Sequence, residues 1–462
     1  MQSTTINYRF LLSVSAVTAM GGLLFGYDWV VIGGAKPFYE QFFNIVDSPS
    51  LQGWAMSCAL IGCLLGAAFS GMLSDKYGRK RLLILAAFLF IISAYGSGAT
   101  NNFSLFIWYR IIGGIGIGLA SNLSPMYIAE VSPSAVRGKF VSLNQLTIVI
   151  GILAAQLINW QIAEPMPEHI SNTEILNSWN GQTGWRIMFW MELIPAGLFF
   201  LLMFFVPESP RWLTANAQPE KAKAILAKIG GKDYANDEVE KIEATLNASE
   251  KTSFKILFQP KVKKILLIGI VIAAFQQWCG INVVFNYADE VFTAAGYGIS
   301  DMLFNIVITG SINLIFTFIA IATVDRWGRR ALMLFGSGSL AAVYAIMGAA
   351  YYFQVSGLPL LVLVVVAIAC YAMSLAPVTW VVLSEIFPNR IRGAAMSVAT
   401  IALWLASFTL TYTFPLLNNA FGASGTFWLY GIISVAGFVF IYKTLPETKG
   451  KSLEQIEEEI VK

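Results

Sequence analysis

Apolar residues recur in long runs along this chain, and short polar segments between the runs hold most of the charge. A run of about 20 apolar residues crosses a hydrocarbon layer of about 30 Å as a helix. Twelve such runs are present, at approximately 10–35, 51–73, 82–99, 105–130, 139–163, 185–206, 263–293, 302–324, 331–353, 359–386, 394–416 and 425–445. The pattern predicts an all-α polytopic membrane protein with both termini on one side. The first run exceeds the roughly 7–15 apolar residues of a signal-peptide core, so we expect it to remain as the first span.

Composition and charge agree with this class and orient the protein. Of the 462 residues, 56% are hydrophobic and 12% charged, whereas soluble proteins carry about 25% charged residues. Lysines and arginines gather in the segments of one side, which the positive-inside rule places in the cytoplasm. We therefore expect a plasma-membrane protein, as in a bacterial inner membrane, with cytoplasmic termini and lipid around the spans.

Residue types that bind metals or drive catalysis are sparse and scattered. The four cysteines lie in apolar runs without metal-ligand spacing, so we interpret them as packing residues, and the one histidine, His169, lies in a polar loop. No phosphate-binding GxxxxGK(S/T) loop and no nucleophile with a positioned base can be identified. We expect no cofactor, no metal, no enzymatic activity and no nucleic-acid partner, and we expect a monomer.

Three motifs occur twice in the same order. "GMLSDKYGRK" at 71–80 recurs as "IATVDRWGRR" at 321–330, "EVSPSAVRG" at 130–138 as "EIFPNRIRG" at 385–393, and "PESPRWL" at 207 as "PETKGKSL" at 446. Such parallel repeats build transporters whose site lies between the halves near the membrane midplane. The repeat predicts a half at 1–207, a cytosolic linker with short helices at 208–262, a half at 263–446 and a tail at 447–462.

Taken together, the paired "D(K/R)xGR(K/R)" loops, "PESPRWL", "PETKG" and "QQWCGINVVFNY" resemble the sugar porter family of the major facilitator superfamily. The resemblance covers nearly the whole chain. That family includes bacterial xylose–proton symporters and animal facilitative glucose carriers. The resemblance implies the major facilitator fold and a monosaccharide substrate.

Three charged residues fall within apolar spans of the first half. At 1.5 Å per helical residue, Asp28 lies about 12 Å and Arg110 and Glu192 about 9–10 Å from the outer ends of their spans. Intramembrane charges in transporters often form proton relays. We expect ionised Asp28 to pair with Arg110 and its protonation to release Arg110, with Glu192 as a second carrier or partner. The alternative is a static ion pair, but the resemblance implies coupling, since the family's facilitative members lack the aspartate.

Five amides lie in strongly apolar runs. An amide both donates and accepts hydrogen bonds, as sugar hydroxyls do, but buried amides in membranes also serve simply to join helices. On one continuous helix Gln276 and Asn282 would lie about 120° apart and could line two sides of a cavity. The resemblance matches all five amides and two tryptophans to the family's sugar-contacting positions: Gln145, Gln276, Gln277, Asn282, Asn313, Trp380 and Trp404.

Further features bear on this predicted sugar site. Phe25, one turn before Asp28, is an additional aromatic candidate, and Pro377 predicts a broken helix suited to a gate near Trp380. Two positions depart from the family pattern. Asn286 precedes Tyr287 where many members have two tyrosines, and Leu403 precedes Trp404 where an amide is usual. The departures leave the identity of the sugar open.

Charges in the repeated cytosolic loops form a mirrored set. Exposed ion pairs contribute little to stability, so topology and solubility are one interpretation. Their duplication at helix ends, with the resemblance, favours a cytosolic lock that holds the outward-open state and breaks as the halves rock. The predicted lock comprises Asp75, Arg79, Glu130 and Arg137 in the first half and Asp325, Arg329, Glu385 and Arg392 in the second.

These observations predict a sugar–proton symporter that imports a pentose such as xylose or a hexose such as glucose by alternating access. Two alternatives remain open, a facilitative sugar uniporter and a symporter of inositol or another polyol. A sugar sensor that does not transport would be expected to carry a sizeable cytosolic extension, whereas about 17 residues follow the last span.

Overall fold

The computed structural model describes residues 6–167, 170–248, 260–387, 392–447 and 449. Side chains are described for these residues except those at 247, 248, 260, 261, 324, 325 and 392. His169, the linker segment 249–259 and most of the predicted tail therefore lie outside the described residues, as do the side chains of Asp325 and Arg392.

The described part of the chain is helical throughout and contains no strand. The elements are α1 (Tyr8–Phe42), α2 (Pro49–Tyr77), α3 (Arg79–Ala99), α4 (Phe103–Val131), α5 (Arg137–Ile162), α6 (Asn172–Asn177), a π-helical turn (Asn180–Gly184), α7 (Trp185–Trp190), α8 (Leu193–Met203), α9 (Pro210–Ala215), α10 (Pro219–Ala248), α11 (Pro260–Trp278), α12 (Ile281–Asn286), α13 (Ala288–Ala294), α14 (Ile299–Trp327), α15 (Arg329–Tyr352), α16 (Leu358–Met373), α17 (Leu375–Ile386) and α18 (Arg392–Thr444).

Eleven helical stretches of the described chain are long and apolar enough to span a membrane. The longest of them contains two predicted spans, because Gly422 (φ +67°, ψ 175°) interrupts α18 between them. The predicted twelve spans are thus present. Span 1 is longer than predicted and continues through Pro37 to Phe42.

Three predicted spans are not continuous helices. Span 7 breaks at Gly280, whose φ of +86° is a left-handed conformation that few residues other than glycine adopt, and it ends at Asn286. Span 10 breaks at Ser374 between α16 and α17, which confirms the predicted interruption near Pro377. Span 6 directly follows the π-helical turn and contains a break at Met191 and Glu192.

The sequence repeat is also a repeat of structure. In each half a glycine with φ near +90°, Gly78 or Gly328, ends one long helix and begins the next. The carboxylate of Glu208 accepts hydrogen bonds from the backbone amides of the first two residues of α3, and Glu447 does the same for α15. Both halves therefore have the same glycine turn and the same glutamate cap at these helix ends, and we call these two features the shared frame.

The N-terminus and the linker helices lie at this same end of the molecule, which we call the linker side. The backbone amide of Asn7 donates to the carbonyl of Ile229 in α10 at 2.7 Å, and the indole of Trp212 in α9 donates to the carbonyl of Asp75 at 2.9 Å. The opposite helix ends form the far side. The predicted surface helix of the linker is present within α10.

The two halves pack along α2 with α18 and along α5 with α14. Aromatic pairs mark both seams, with ring centroids 6.4 Å apart for Trp54 and Phe408 and 5.5 Å apart for Trp160 and Phe304. The free cysteines Cys58, Cys63 and Cys279 are buried and Cys370 is half-buried, which agrees with a packing role.

Candidate functional site

Asp28 and Arg110 meet in the interior of the N-terminal half. Asp28 on α1 is 0% exposed and Arg110 on α4 is 2% exposed. The Arg110 guanidinium donates from Nη1 to Oδ1 of Asp28 and from Nη2 to the Asp28 backbone carbonyl at 3.1 Å. The predicted contact between them is confirmed, although its role in coupling stays a prediction.

The second oxygen of Asp28 lies beside a glycine. A Cβ at Gly113, one turn after Arg110, would lie 3.1 Å from Asp28 Oδ2 and would overlap Ser93 Oγ. Neither Asp28 Oδ2 nor Ser93 Oγ has a hydrogen-bond partner among the described residues. The carboxylate thus has one oxygen bound to arginine and one oxygen without a hydrogen-bond partner among the described residues.

Glu192 completes a group that we call the buried charge trio: Asp28, Arg110 and Glu192. Glu192 lies in the break between α7 and α8, is fully buried, and has no hydrogen-bond partner for either carboxylate oxygen among the described residues. It lies within electrostatic range of both Asp28 and Arg110. A second acid therefore lies near the Asp28–Arg110 ion pair and has no ion pair of its own among the described residues, in an apolar setting where an uncompensated charge is costly.

Three of the predicted sugar-binding amides form one hydrogen-bonded chain. Asn282 Nδ2 donates to Gln277 Oε1, Gln277 Nε2 donates to Gln276 Oε1 at 2.5 Å, and Gln276 Nε2 donates to Tyr371 Oη at 2.6 Å. The break at Gly280 separates Asn282 from the helix that carries the two glutamines, so the 120° estimate for a continuous helix was wrong. The break instead folds Asn282 back onto Gln277.

The other predicted sugar-binding residues lie outside this chain of amides. Gln145 is half-buried on α5, and Asn313 is buried on α14, where its backbone carbonyl accepts a hydrogen bond from Thr317. Trp380 on α17 is 37% exposed. The structure therefore joins three of the five amides directly and leaves the sugar contact of all of them a prediction.

Trp404 contributes to an aromatic cluster that joins the two halves. Its ring centroid lies 6.1 Å from that of Phe25 and 6.1 Å from that of Trp29, both on α1. Trp404 is buried and its indole nitrogen has no partner among the described residues. Trp29, which follows Asp28 directly, was not predicted as a site residue.

A second ionic group, the far-side ionic cluster, consists of Lys36, Glu40, Asp289 and Glu290. Lys36 Nζ lies 2.5 Å from Glu290 Oε1, 2.9 Å from Asp289 Oδ2 and 3.2 Å from Glu40 Oε1. The lysine and Glu40 belong to α1, whereas the other two acids belong to α13 of the C-terminal half. The cluster therefore ties the halves together on the far side.

The family can be assigned once this geometry is set beside known proteins. A model of the family described as "Sugar (and other) transporter" matches residues 14–460. The chain belongs to this family. It is 41% identical to the D-xylose-proton symporter of Escherichia coli over 98% of this chain and 96% of that protein. It is 39% identical to the arabinose-proton symporter of Bacillus subtilis over 97% of this chain and 94% of that protein.

Solved structures of the family show the same fold. The inward-open conformation of the Escherichia coli xylose transporter matches with a TM-score of 0.86 at 40% identity, over 97% of this chain and 99% of that one. The same transporter bound to 6-bromo-6-deoxy-D-glucose matches with a TM-score of 0.81 at 41% identity, over 98% of this chain and 99% of that one. The predicted major facilitator fold is confirmed, and the chain is a membrane transporter of this family.

Three ion pairs between described residues on the linker side each lie within one half. Arg79 Nη2 donates to Glu130 Oε1 at 2.9 Å and Nη1 to Asp75 Oδ1 at 3.3 Å, while Arg329 Nε donates to Glu385 Oε1 at 3.2 Å. These described pairs brace the halves separately, and Arg137 is exposed at the start of α5. A lock between the halves therefore stays a prediction, with the side chains of Asp325 and Arg392 outside the described residues.

Sequence reasoning missed Tyr371 and the far-side ionic cluster. Tyr371 lies in an otherwise apolar run, where a tyrosine is most often a packing residue. The cluster joins residues about 250 positions apart, and its available signals were an i, i+4 Lys36–Glu40 pair and two acids near the end of predicted span 7.

Proposed function

We propose that this transporter is a monosaccharide–proton symporter, which imports a pentose or hexose of the xylose or glucose type by alternating access. One observation carries the proton half of this proposal, namely that Asp28 and Arg110 form a buried ion pair with a second buried acid, Glu192, in electrostatic range. Family membership and the names of the relatives support the sugar half. Lysines and arginines gather on the linker side, which supports a cytoplasmic linker in a bacterial inner membrane.

The proton step follows from the charges of the trio. With both acids ionised the trio carries one excess negative charge in a medium that solvates it poorly, so a bound proton makes it neutral. Proton binding at Asp28 removes the charge that holds Arg110, because Arg110 Nη1 donates to this carboxylate. Arg110 then turns to Glu192, and the packing of α1 against α4 changes.

The sugar step follows from the amide chain. Its amides pair with one another and with Tyr371, which keeps their polar atoms satisfied while no ligand is bound. Sugar hydroxyls donate and accept in the same way, so they can replace these bonds without leaving an amide unpaired. Trp380 and the aromatic cluster of Phe25, Trp29 and Trp404 supply flat faces for the C–H surfaces of the ring.

Alternating access requires that one side closes while the other opens. The far-side ionic cluster joins α1 to α13 across the halves and supports closure of the far side in this conformation. Outward opening requires the Lys36 contacts to Asp289 and Glu290 to break. The linker-side acids and bases of both halves then meet in the predicted lock.

Reconstituted protein tests the proposal directly. Sugar added to proteoliposomes should draw protons inward and raise the external pH, and a proton gradient should drive sugar accumulation. The Asp28→Asn variant should lose accumulation and keep sugar exchange, because a neutral side chain mimics the protonated state permanently. Asp47→Asn, the same change in an exposed loop, is the matched control.

Two results would overturn parts of the proposal. Accumulation by Asp28→Asn at the wild-type level would exclude this residue as the coupling site. Transport that ignores the proton gradient in the wild type would identify a uniporter. A competition panel with xylose, arabinose, glucose and inositol against one labelled sugar separates sugar from polyol transport.

A further inference from the structure

A small cavity lies beside Arg110 at the boundary between the halves. The space in it that is open to the centre of a water molecule is ≈ 10 Å³, which is about the minimum that one buried water occupies. Its wall comes from α1, α2 and α4 of the N-terminal half and from Asn286 of the C-terminal half. The wall is apolar except for Arg110, Asn286 and the edges of Trp29 and Cys63.

Two buried polar atoms at this cavity have no partner among the described residues. They are Nε of Arg110 and Oδ1 of Asn286. Both terminal nitrogens of Arg110 donate to Asp28, so Nε is the guanidinium nitrogen that has no partner among the described residues. A guanidinium N–H donates and an amide oxygen accepts, and a water between them can accept from the first and donate to the second.

Asn286 occupies a position from which it can act on the predicted sugar site. It is the last residue of α12, the short helix that carries Asn282 and begins at the Gly280 break. Its backbone carbonyl lies 3.2 Å from where a Cβ of Gly33 on α1 would stand. The helix α12 is therefore packed closely against α1, the helix that carries Asp28.

We propose that water in this cavity links Arg110 Nε to Asn286 Oδ1 and that Asn286 thereby transmits the protonation state of Asp28 to the sugar-binding half. Asn286 is a positioning residue in this account, since it acts on the predicted sugar site through the water and α12. The inference rests on the proposed symport function. It also gives a role to one of the two positions at which this chain departs from the family pattern.

The link makes sugar affinity depend on pH. Protonation of Asp28 frees Arg110 to turn, the bridge to Asn286 breaks, and α12 can take a different position together with Asn282. The titratable groups that lie within electrostatic range of Arg110 are Asp28 of α1, Glu192 between α7 and α8, and the thiols of Cys58 and Cys63 on α2. Replacement of Asn286 should leave these groups in place and remove their effect on the sugar.

The first experimental arm removes the acceptor. Asn286→Leu is close in volume and cannot bind the water, and Asn305→Leu is the matched control, being the same change at another buried asparagine of the C-terminal half that does not line the cavity. Sugar affinity of the purified full chain is measured by tryptophan fluorescence across about pH 5.5 to 8.5. Asn286→Leu should flatten the pH dependence and lower the ratio of accumulation to exchange about fivefold or more, whereas Asn305→Leu should do neither.

The second arm fills the cavity and leaves both polar residues in place. Ala59→Val adds volume at the α2 wall, and Ala55→Val on the same helix, buried outside the cavity, is its control. Ala59→Val should reproduce the flattened pH profile. This arm decides the matter if Asn286→Leu fails to fold.

The outcomes separate this inference from the proposed function. Wild-type protein without sugar-driven proton uptake would overturn the symport function itself. Wild-type coupling together with a wild-type pH profile in Asn286→Leu or in folded Ala59→Val would overturn the bridge alone. Equal effects of Asn305→Leu and Asn286→Leu would also overturn it, because any buried amide would then serve.

Discussion

The two halves of the molecule share a frame and differ in their interiors. On the linker side each half has the same turn, at Gly78 or Gly328, and the same glutamate cap, from Glu208 or Glu447. Inside the membrane the N-terminal half carries the buried charge trio. The spans of the C-terminal half contain no Asp, Glu, Lys or Arg from 265 to 288, 302 to 324, 331 to 384 and 393 to 442.

Under the proposed function, this difference suits each half to different chemistry. Charges in an apolar interior must be neutralised by a partner or a proton, so the N-terminal half suits an ion that moves. Neutral amides keep their hydrogen bonds whether or not a ligand is present, so the C-terminal half suits a sugar. A duplicated frame can therefore house two unlike sites, and coupling must cross the boundary between them.

The largest expected effect comes from removing the cation of the trio. Arg110→Met leaves Asp28 and Glu192 buried without a counter-charge. A buried ion pair that loses one partner costs about 3–5 kcal/mol of folding stability. We expect a marked loss of thermal stability and no proton-driven accumulation, measured by unfolding in detergent and by transport in proteoliposomes.

A control variant and a compensating triple variant accompany Arg110→Met. Arg9→Met removes an exposed arginine and should change little. A triple variant, Asp28→Asn, Glu192→Gln and Arg110→Met, should recover stability but not accumulation. Normal accumulation by Arg110→Met would contradict the assignment of proton coupling to the buried charge trio of the N-terminal half.

The matching change in the C-terminal half is Gln277→Leu. Gln277 accepts from Asn282 and donates to Gln276, so its loss leaves two buried amide groups unpaired. In the proposed complex the sugar also loses the amide of Gln277, and an unpaired hydroxyl there costs about 1–3 kcal/mol, which corresponds to a loss of sugar affinity of about tenfold to a hundredfold. The number of protons taken up per sugar should stay that of the wild type.

Gln161→Leu, at the exposed end of α5, is the control for this change. Sugar affinity comes from fluorescence titration, and proton uptake from a pH electrode during transport. A changed number of protons per sugar with unchanged sugar affinity in Gln277→Leu would contradict the proposed assignment of coupling to the N-terminal half. It would place coupling in the C-terminal half instead.

Much of this asymmetry could be predicted from the sequence. The membrane restricts a span to helix and makes a buried charge costly, so spans and charged positions are easy to recognise. Depth counting then placed Asp28 and Arg110 in one layer, and the structure brings them into contact. Repeated motifs likewise predicted the shared frame.

The contacts that were not predicted depend on helix breaks and helix packing, which hydrophobic periodicity does not indicate. The Gly280 break decides whether Asn282 faces away from Gln277 or bonds to it, and a helical wheel assumes that no break occurs. The far-side ionic cluster forms because α1 and α13 approach each other across the halves. Such long-range contacts follow from packing of the whole bundle rather than from local pattern.

A moderate effect is expected at the far-side ionic cluster, where the two halves touch. Lys36→Met leaves Glu40, Asp289 and Glu290 close together without their cation. Their repulsion should weaken far-side closure and shift the population toward the outward-open state, by about 1–3 kcal/mol. Spin labels at Asp47→Cys and Gln354→Cys, in far-side loops of opposite halves, report the separation by pulsed electron paramagnetic resonance.

The labelling scheme suits this chain, since three native cysteines are buried and Cys370 is half-buried. A neutral cluster, Lys36→Met with Asp289→Asn and Glu290→Gln, should restore the shorter distance. An unchanged distance distribution in Lys36→Met would mean that the cluster follows closure and does not contribute to it.

The smallest expected effect concerns the glutamate caps that the two halves share. Glu208→Gln and Glu447→Gln each weaken a carboxylate cap at the start of a long helix, α3 or α15. Caps of this kind contribute about 0.5–2 kcal/mol, and the anionic charge also favours the helix N-terminus. Because the caps are equivalent, both variants should lose similar amounts of thermal stability in detergent and should keep the wild-type coupling ratio. Glu220→Gln, exposed on α10, is the control. A loss several times larger in one half would show that the shared frame, like the interior, has diverged.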